Sequence, residues 1–303
     1  MNDPTVSVAV VAIAGARYLE RCLSALRAQV NAPVFEVVVV YDPKLEGVLA
    51  LEHRYPEARI TSNAGQRTPL ELASRAIQEC KGDIIVLTED HCVPAPDFVS
   101  RRLSDLTTQR CAAAGGPVDL EPEASALEFA FYFVDFFRYA SPIRAGASPT
   151  LTVCNVAYRR RDLEAIDARW RELFHETAVN TALCERFGPL FLGSGGRVTT
   201  RRRVSLAGAV KERWAFGRLF GATRLDFSTP GMRRLYRLGA PILPALLFGR
   251  MARRALRDEH LSRAFARGLG PVALMVLAWS VGEWLGYLTH TRPDDLTVAQ
   301  ELT

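Results

Sequence analysis

No two cysteines stand at CxxC spacing: the six, Cys22, Cys80, Cys92, Cys111, Cys154 and Cys184, are scattered along 303 residues. The opening stretch, MNDPTVSV, lacks the basic and apolar regions of a secretory signal. These two absences argue against a disulfide framework or a zinc site, and reduced thiols in a cytosolic setting are expected. Internal repeats and low-complexity tracts are missing too. The first apolar run leads into AIAGARY, which has one glycine where a dinucleotide fingerprint needs three to approach a pyrophosphate. That disfavours a dinucleotide oxidoreductase. Nor is there an aromatic-interleaved RNA-binding motif.

What is present is enough apolar residue to fold. The chain is 49% hydrophobic and 23% charged, with a mean hydropathy of +0.03. Its length suits one large domain with an appendage. The net charge of +5 is unevenly placed: residues 197–267 hold 17 basic and four acidic residues, a local net of +13, leaving −8 elsewhere. Such a segment seeks an anionic partner: membrane phospholipid, nucleotide phosphate or nucleic acid. Because it brackets apolar runs, membrane lipid accounts for both features, and no nucleic-acid partner is expected.

Val6–Ile13, Phe35–Tyr41 (FEVVVVY) and Asp83–Thr88 (DIIVLT) are continuous apolar runs, and Ala58–Thr61 is a shorter one. Helical patterns over Ala16–Gln29 and Pro69–Cys80 separate them. Strands that do not alternate, divided by helices, predict an α/β fold with a mostly parallel sheet covered on both faces. Ligands of such sheets gather at the carboxyl ends of the strands. Asp42 lies at one such end, and Glu89, Asp90 and His91 lie side by side at another.

The middle mixes strands with helices over Phe174–Phe187 and the aromatic stretch Glu123–Tyr139, whose rings are assigned to the core. Near the end, Leu269–Thr289 is 21 residues long with one charge, Glu283. It is just long enough to span a bilayer core, which takes about 20 residues. Trp279, Trp284 and Tyr287 supply an interfacial signature, and the arginines suit anionic headgroups at a cytoplasmic membrane face. The expectation is a nucleotide-binding half at about 1–110, a second half at about 111–225, and a helical membrane-associated tail over 226–303.

An acid–acid–histidine run at a strand end can hold a divalent metal through Glu89 and His91. The wider pattern resembles the family 2 glycosyltransferases of the GT-A fold, in their bacterial, membrane-associated form. VSVAVVAIAGARYLERCLSALRAQ resembles that family's first strand and helix, and FEVVVVYDP its second strand. GDIIVLTEDHCVPAPDF is similar to the Gly-Asp strand that ends in a metal-binding Asp-x-Asp. CNVAYRR resembles an Asn-x-Ala-x-Arg segment, and FHETAVNTALCERFG the region of the catalytic Glu-Asp pair. These segments run in the family's order over residues 6–225.

The resemblance implies transfer of a sugar from a nucleotide-sugar donor to a lipid-linked or glycan acceptor at the cytoplasmic face of the cell membrane. Asp42 would contact the nucleoside, and Asp90 the sugar or ribose. Glu89 and His91 replace the ends of Asp-x-Asp and would hold Mn2+ or Mg2+; a comparable Asp-x-His occurs in polypeptide GalNAc-transferases. Glu176–Thr177 replaces the Glu-Asp pair, leaving Glu176 as base in an inverting reaction; His175 is structural. Arg213–Trp214 is similar to the end of Gln-x-x-Arg-Trp, with Val210 at the glutamine position, and Arg213 is expected on the diphosphate. The alternative is a catalytically degenerate GT-A scaffold or binding subunit of a glycan-assembly complex.

Overall fold

A computed structural model describes residues 5–62 and 68–293; the start of MNDPTVSV and the end of the expected tail lie outside the described residues. The chain forms two compact units. One runs up to Asp119 and resumes over Ser141–Thr200; the other comprises Leu120–Ala140 and the residues from Arg201 onward.

The first unit opens by alternating strand and helix: β1 (Val6–Ala12), α1 (Ala16–Arg27), β2 (Phe35–Tyr41), β3 (Ala58–Ser62), α2 (Pro69–Glu79) and β4 (Ile84–Glu89). Every residue of β1 is buried, which is why its sequence carries no polar face. Helix α2 starts where the sequence signals it. Thr68 and Glu71 cap one another reciprocally, and Pro69 takes the first helical position. Next come β5 (Cys92–Pro94), α3 (Phe98–Gln109), β6 (Ala113–Gly115) and β7 (Val118–Leu120). After α4 (Ala126–Phe136), which belongs to the other unit, come β8 (Gly146–Ser148), β9 (Val156–Arg159), α5 (Arg160–Glu164), α6 (Glu176–Phe187), β10 (Leu190–Leu192) and β11 (Val198–Thr200).

Eight strands form one mixed sheet in the order β3-β2-β1-β4-β9-β6-β10-β8. β3, β2, β1 and β4 are mutually parallel, and β9 pairs antiparallel with both β4 and β6. A second sheet has the order β5-β11-β7. The register sets Ala12 opposite Tyr41, and Val11 opposite Glu89. Asp42 and the Glu89–His91 run therefore emerge at one carboxyl edge, separated only by β1.

The second unit is helical, with α4, α7 (Leu206–Arg224), α8 (Pro230–Gly239), α9 (Leu243–Ala255), α10 (Glu259–Arg267) and α11 (Leu269–Thr289). The expected boundary at residue 225 differs from this division, because α7 lies along α11. Gly217 and Gly221 face the backbone carbonyls of Trp279 and Glu283, while Gly282 and Gly286 face those of Trp214 and Arg218. A Cβ at any of the four would collide with the facing oxygen; small residues are what let two helix backbones approach this closely. The aromatic stretch packs inward as expected: Phe129, Phe131, Tyr132, Phe133, Phe136 and Phe137 are all buried.

Helix α11 is long and apolar enough to cross a membrane, and 44% of its most apolar stretch is buried inside the protein. Its one charge is internally satisfied. Glu283 accepts hydrogen bonds from the Trp279 indole at 2.8 Å and from the Tyr287 hydroxyl, with Arg224 at 3.7 Å.

Candidate active site

Glu89 and His91 lie together at the end of β4, with Glu89 Oε2 2.7 Å from His91 Nε2. The imidazole's other nitrogen, Nδ1, sits 2.9 Å from the Thr200 hydroxyl and 3.6 Å from Cys92 Sγ. The Cys154 thiol donates to Glu89 Oε2 at 3.2 Å. Three elements deliver these groups: the β4–β5 connection, the segment leading into β9, and the last residue of β11. His91, Cys92 and Cys154 are buried, whereas the Glu89 side chain keeps 13% exposure.

The electrostatics follow from that packing. Burial opposes a Cys92 thiolate, but the hydrogen bond from Cys154 and the charge on His91 outweigh it and bring this thiol down to about 6. Burial, then the neighbouring Cys92, pushes the Cys154 thiol well up, so Cys154 is the proton donor. Burial also opposes a charged His91, yet Cys92 and Glu89 raise it well above the usual histidine range.

Glu176 is the first residue of α6, with His175 at the cap position accepting the Ala178 N–H. That gives His175 the structural role expected of it. One oxygen of Glu176 accepts the Val153 N–H at 2.9 Å. Glu176 is thus fixed one residue from Cys154, which in turn reaches Glu89. The second expected carboxyl position is Thr177, whose backbone carbonyl accepts the Thr181 hydroxyl at 2.8 Å. Asp42 stands half-buried at the end of β2, its carboxylate accepting the Lys44 N–H at 2.9 Å in a tight turn.

Two expectations are corrected. Asp90 is fully buried, and Oδ2 accepts three successive backbone N–H groups, from Ile13 at 3.1 Å, Ala14 at 2.8 Å and Gly15 at 3.0 Å. Its carboxylate is committed to clamping the turn between β1 and α1 and is not open to a sugar. Burial raises its pKa despite those three bonds. Arg213 is buried in the second unit, its guanidinium shared between Asp135 and Glu212 at 2.8 Å and stacked 4.8 Å over Phe131. Its charge is neutralised by two carboxylates, so it is a packing residue and not an open diphosphate contact.

Cys92, Cys154, Thr200 and the Val153 amide were not singled out from sequence. Glu89 and Cys154 are 65 residues apart and His91 and Thr200 are 109 apart, so no local spacing announces them.

An α/β sheet with acidic residues along one carboxyl edge, extended beyond β4 by antiparallel pairing, is the GT-A architecture. The chain belongs to the glycosyltransferase-like family 2, whose model matches residues 4–187. The fold is similar to that of the mannosyltransferase PcManGT from Pyrobaculum calidifontis, solved with GDP-Man and Mn2+. The two are 17% identical with a TM-score of 0.58, over 92% of this chain and 87% of that one. It is also similar to glucosyl-3-phosphoglycerate synthase from Mycobacterium tuberculosis, solved with Mn2+, UDP and glucosyl-3-phosphoglycerate. There the identity is 17% and the TM-score 0.52, over 74% of this chain and 80% of that one. No curated protein matches the sequence.

Proposed function

We propose that this glycosyltransferase moves a sugar from a nucleotide-diphosphate sugar to a lipid-linked or glycan acceptor, with inversion and with Glu176 as base. The observation that carries this reading is the convergence of Glu176 and Glu89 on consecutive residues, Val153 and Cys154. A general base and a diphosphate-facing group must stand on either side of one anomeric carbon, and this segment supports both.

Asp42 would receive the nucleoside, since it lies at the strand end beside β1 and is partly open to solvent. A divalent ion would be held at the end of β4 by His91, with Glu89 2.7 Å from the imidazole Nε2 to fix the ring. Bound there, the ion would supply positive charge to the departing diphosphate. The Val153 N–H holds the Glu176 carboxylate in one orientation, so that it takes the acceptor's hydroxyl proton as the oxygen attacks.

A membrane surface is the proposed place of action, supported by the second unit. Helix α8 has no buried residue, and Leu235 and Leu238 are 67% and 80% exposed beside Arg233, Arg234 and Arg237. Ile242 and Leu246 continue the exposed apolar set. An apolar ridge edged with arginine suits a helix lying in an anionic headgroup layer.

The test is to screen nucleotide-sugars against the purified full chain for divalent-ion-dependent turnover. Donor hydrolysis or transfer that disappears in Glu176→Gln is the expected result. No turnover and no thermal stabilisation by any donor would sink the reading and leave a scaffold with this fold.

A further inference from the structure

We propose that His91, Cys92 and Cys154 form a three-ligand site for a borderline-soft divalent cation, Zn2+ or Co2+, with Glu89 steering the imidazole from its far side. One donor atom from each of the three lies within 4.8 Å of the others, and all three residues are buried. The His91 Nδ1 to Cys92 Sγ distance is 3.6 Å. Two neighbouring ligands of tetrahedral zinc, with bonds near 2.0 Å to nitrogen and 2.3 Å to sulfur, stand roughly 3.5 Å apart. The spacing is that of ligands around an ion.

The imidazole is oriented for this. Its Nε2 is held by Glu89 Oε2 at 2.7 Å, which presents Nδ1 to the thiols. A carboxylate behind a ligating histidine is the usual way a protein fixes the ring and strengthens it as a ligand. Thr200 Oγ1, 2.9 Å from Nδ1, borders the remaining position. The frame is rigid: Cys92 pairs with Thr200 in the β5–β11 register, and the Thr88 hydroxyl holds the Cys154 carbonyl at 2.9 Å. Two sulfurs and one nitrogen disfavour Mg2+ and Mn2+, which take oxygen ligands, and favour Zn2+ or Co2+. Binding exchanges the protons carried by these donors for the ion. Three protein ligands leave a fourth position open, as in sites where zinc meets a substrate oxygen. Use of that position by a diphosphate rests on the transferase reading; occupation of the site does not.

The test is a Co2+ titration of the full chain, followed by absorbance without any nucleotide-sugar. A sulfur-to-cobalt charge-transfer band with the visible bands of tetrahedral cobalt is expected. One equivalent of Zn2+ removes both, and a roughly 100-fold excess of Mn2+ removes neither. Cys154→Ser and Cys92→Ser lose the charge-transfer intensity, while Cys184→Ser, whose thiol lies elsewhere, keeps it. Glu89→Gln retains the band but weakens Co2+ binding by roughly 10–100-fold.

Absence of the band in the unsubstituted chain, or its survival in Cys154→Ser, overturns the site. Should the cysteine variants fail to fold, the unsubstituted chain still decides: Zn2+ raises its Tm and Mn2+ does not, and equal shifts overturn the proposal. A cobalt spectrum without transferase activity would count against the function proposed above and leave the site standing.

Discussion

Glu176 and Glu89, 87 positions apart in the chain, hold adjacent residues: Glu176 accepts the Val153 N–H at 2.9 Å and Glu89 accepts the Cys154 thiol at 3.2 Å. The segment entering β9 is therefore a strut between the proposed base and the Glu89–His91 pair. Replacing Glu176 by Gln preserves an oxygen for Val153 but removes the basic group. Turnover is expected to fall by about 10²–10⁴-fold, with the unfolding midpoint nearly unchanged. Steady-state kinetics beside a thermal melt separate the two effects, and a turnover loss below tenfold would remove Glu176 as the base.

Asp90 predicts a stability effect. Its Oδ2 gathers the N–H groups of Ile13, Ala14 and Gly15 in a fully buried site. Asp90→Ala would strand three donors, and losing buried partners costs about 1–3 kcal/mol each. Asp90→Asn retains an accepting oxygen without a charge that burial disfavours. Denaturant unfolding should show Ala destabilised by at least about 3 kcal/mol and Asn by much less. Equal losses would mean that the β1–α1 turn does not depend on this acceptor.

Much of the fold could be read from the chain because its signals are local. FEVVVVY is a strand from end to end, and Leu269–Thr289 is one helix with the limits its apolar run predicts. Glu89 and His91 were legible as a pair because they occupy the two ends of an Asp-x-Asp-like run where β4 stops. Asp90, in the turn after β4, instead reaches the Ile13–Gly15 amides, so three adjacent polar residues divide into a site and a clamp. Arg213 misled because an arginine beside a tryptophan looks the same whether its partner is a phosphate or, as here, Asp135 and Glu212. The cysteines stayed silent because Cys92 and Cys154 meet only through the pairing of β4 with β9.

A pH dependence follows from Glu128. Burial works against its ionisation, but Arg201 and the Ser125 N–H outweigh that and hold its carboxyl below the usual range. A carboxylate whose folded pKa is depressed adds stability above its unfolded pKa, and that stability is lost as pH falls through the lower folded value. Glu128→Gln can still close the capping box of α4 through Ser125, so it deletes chiefly the charge facing Arg201 at 3.0 Å. The variant should be less stable by about 1 kcal/mol at pH 7. Its deficit should shrink as the pH is lowered below about 4.3, the ordinary glutamate value. A pH-independent gap would rule out the ionised carboxylate as its source.

The glycine contacts of α7 and α11 give a contrast within one helix. At Gly282 a Cβ would strike the Trp214 carbonyl, whereas at Gly270 it would meet nothing within 4 Å. Gly282→Ala must push the helices apart and should cost about 1–3 kcal/mol. Gly270→Ala should be neutral or add up to about 1 kcal/mol through helix propensity. Thermal melts of the two variants test the close approach directly, and a neutral Gly282→Ala would show that the two helices separate without cost.

Membrane contact through α8 makes the last prediction. Leu235 and Leu238 project from a helix that buries no side chain, beside three arginines. Full burial of a leucine is worth about 1.5–3 kcal/mol, and a partial gain is expected in the headgroup layer. The arginines add an attraction that salt screens over about 10 Å at 0.1 M. The full chain should therefore float with phosphatidylglycerol vesicles, release partly at high salt, and ignore phosphatidylcholine vesicles. Leu235→Ser with Leu238→Ser should lower the partition coefficient at least tenfold while leaving transfer to a soluble acceptor intact. If the double variant binds as the unsubstituted chain does, this face is not the one that meets lipid. Binding that is insensitive to both lipid charge and salt would remove the arginines from the account.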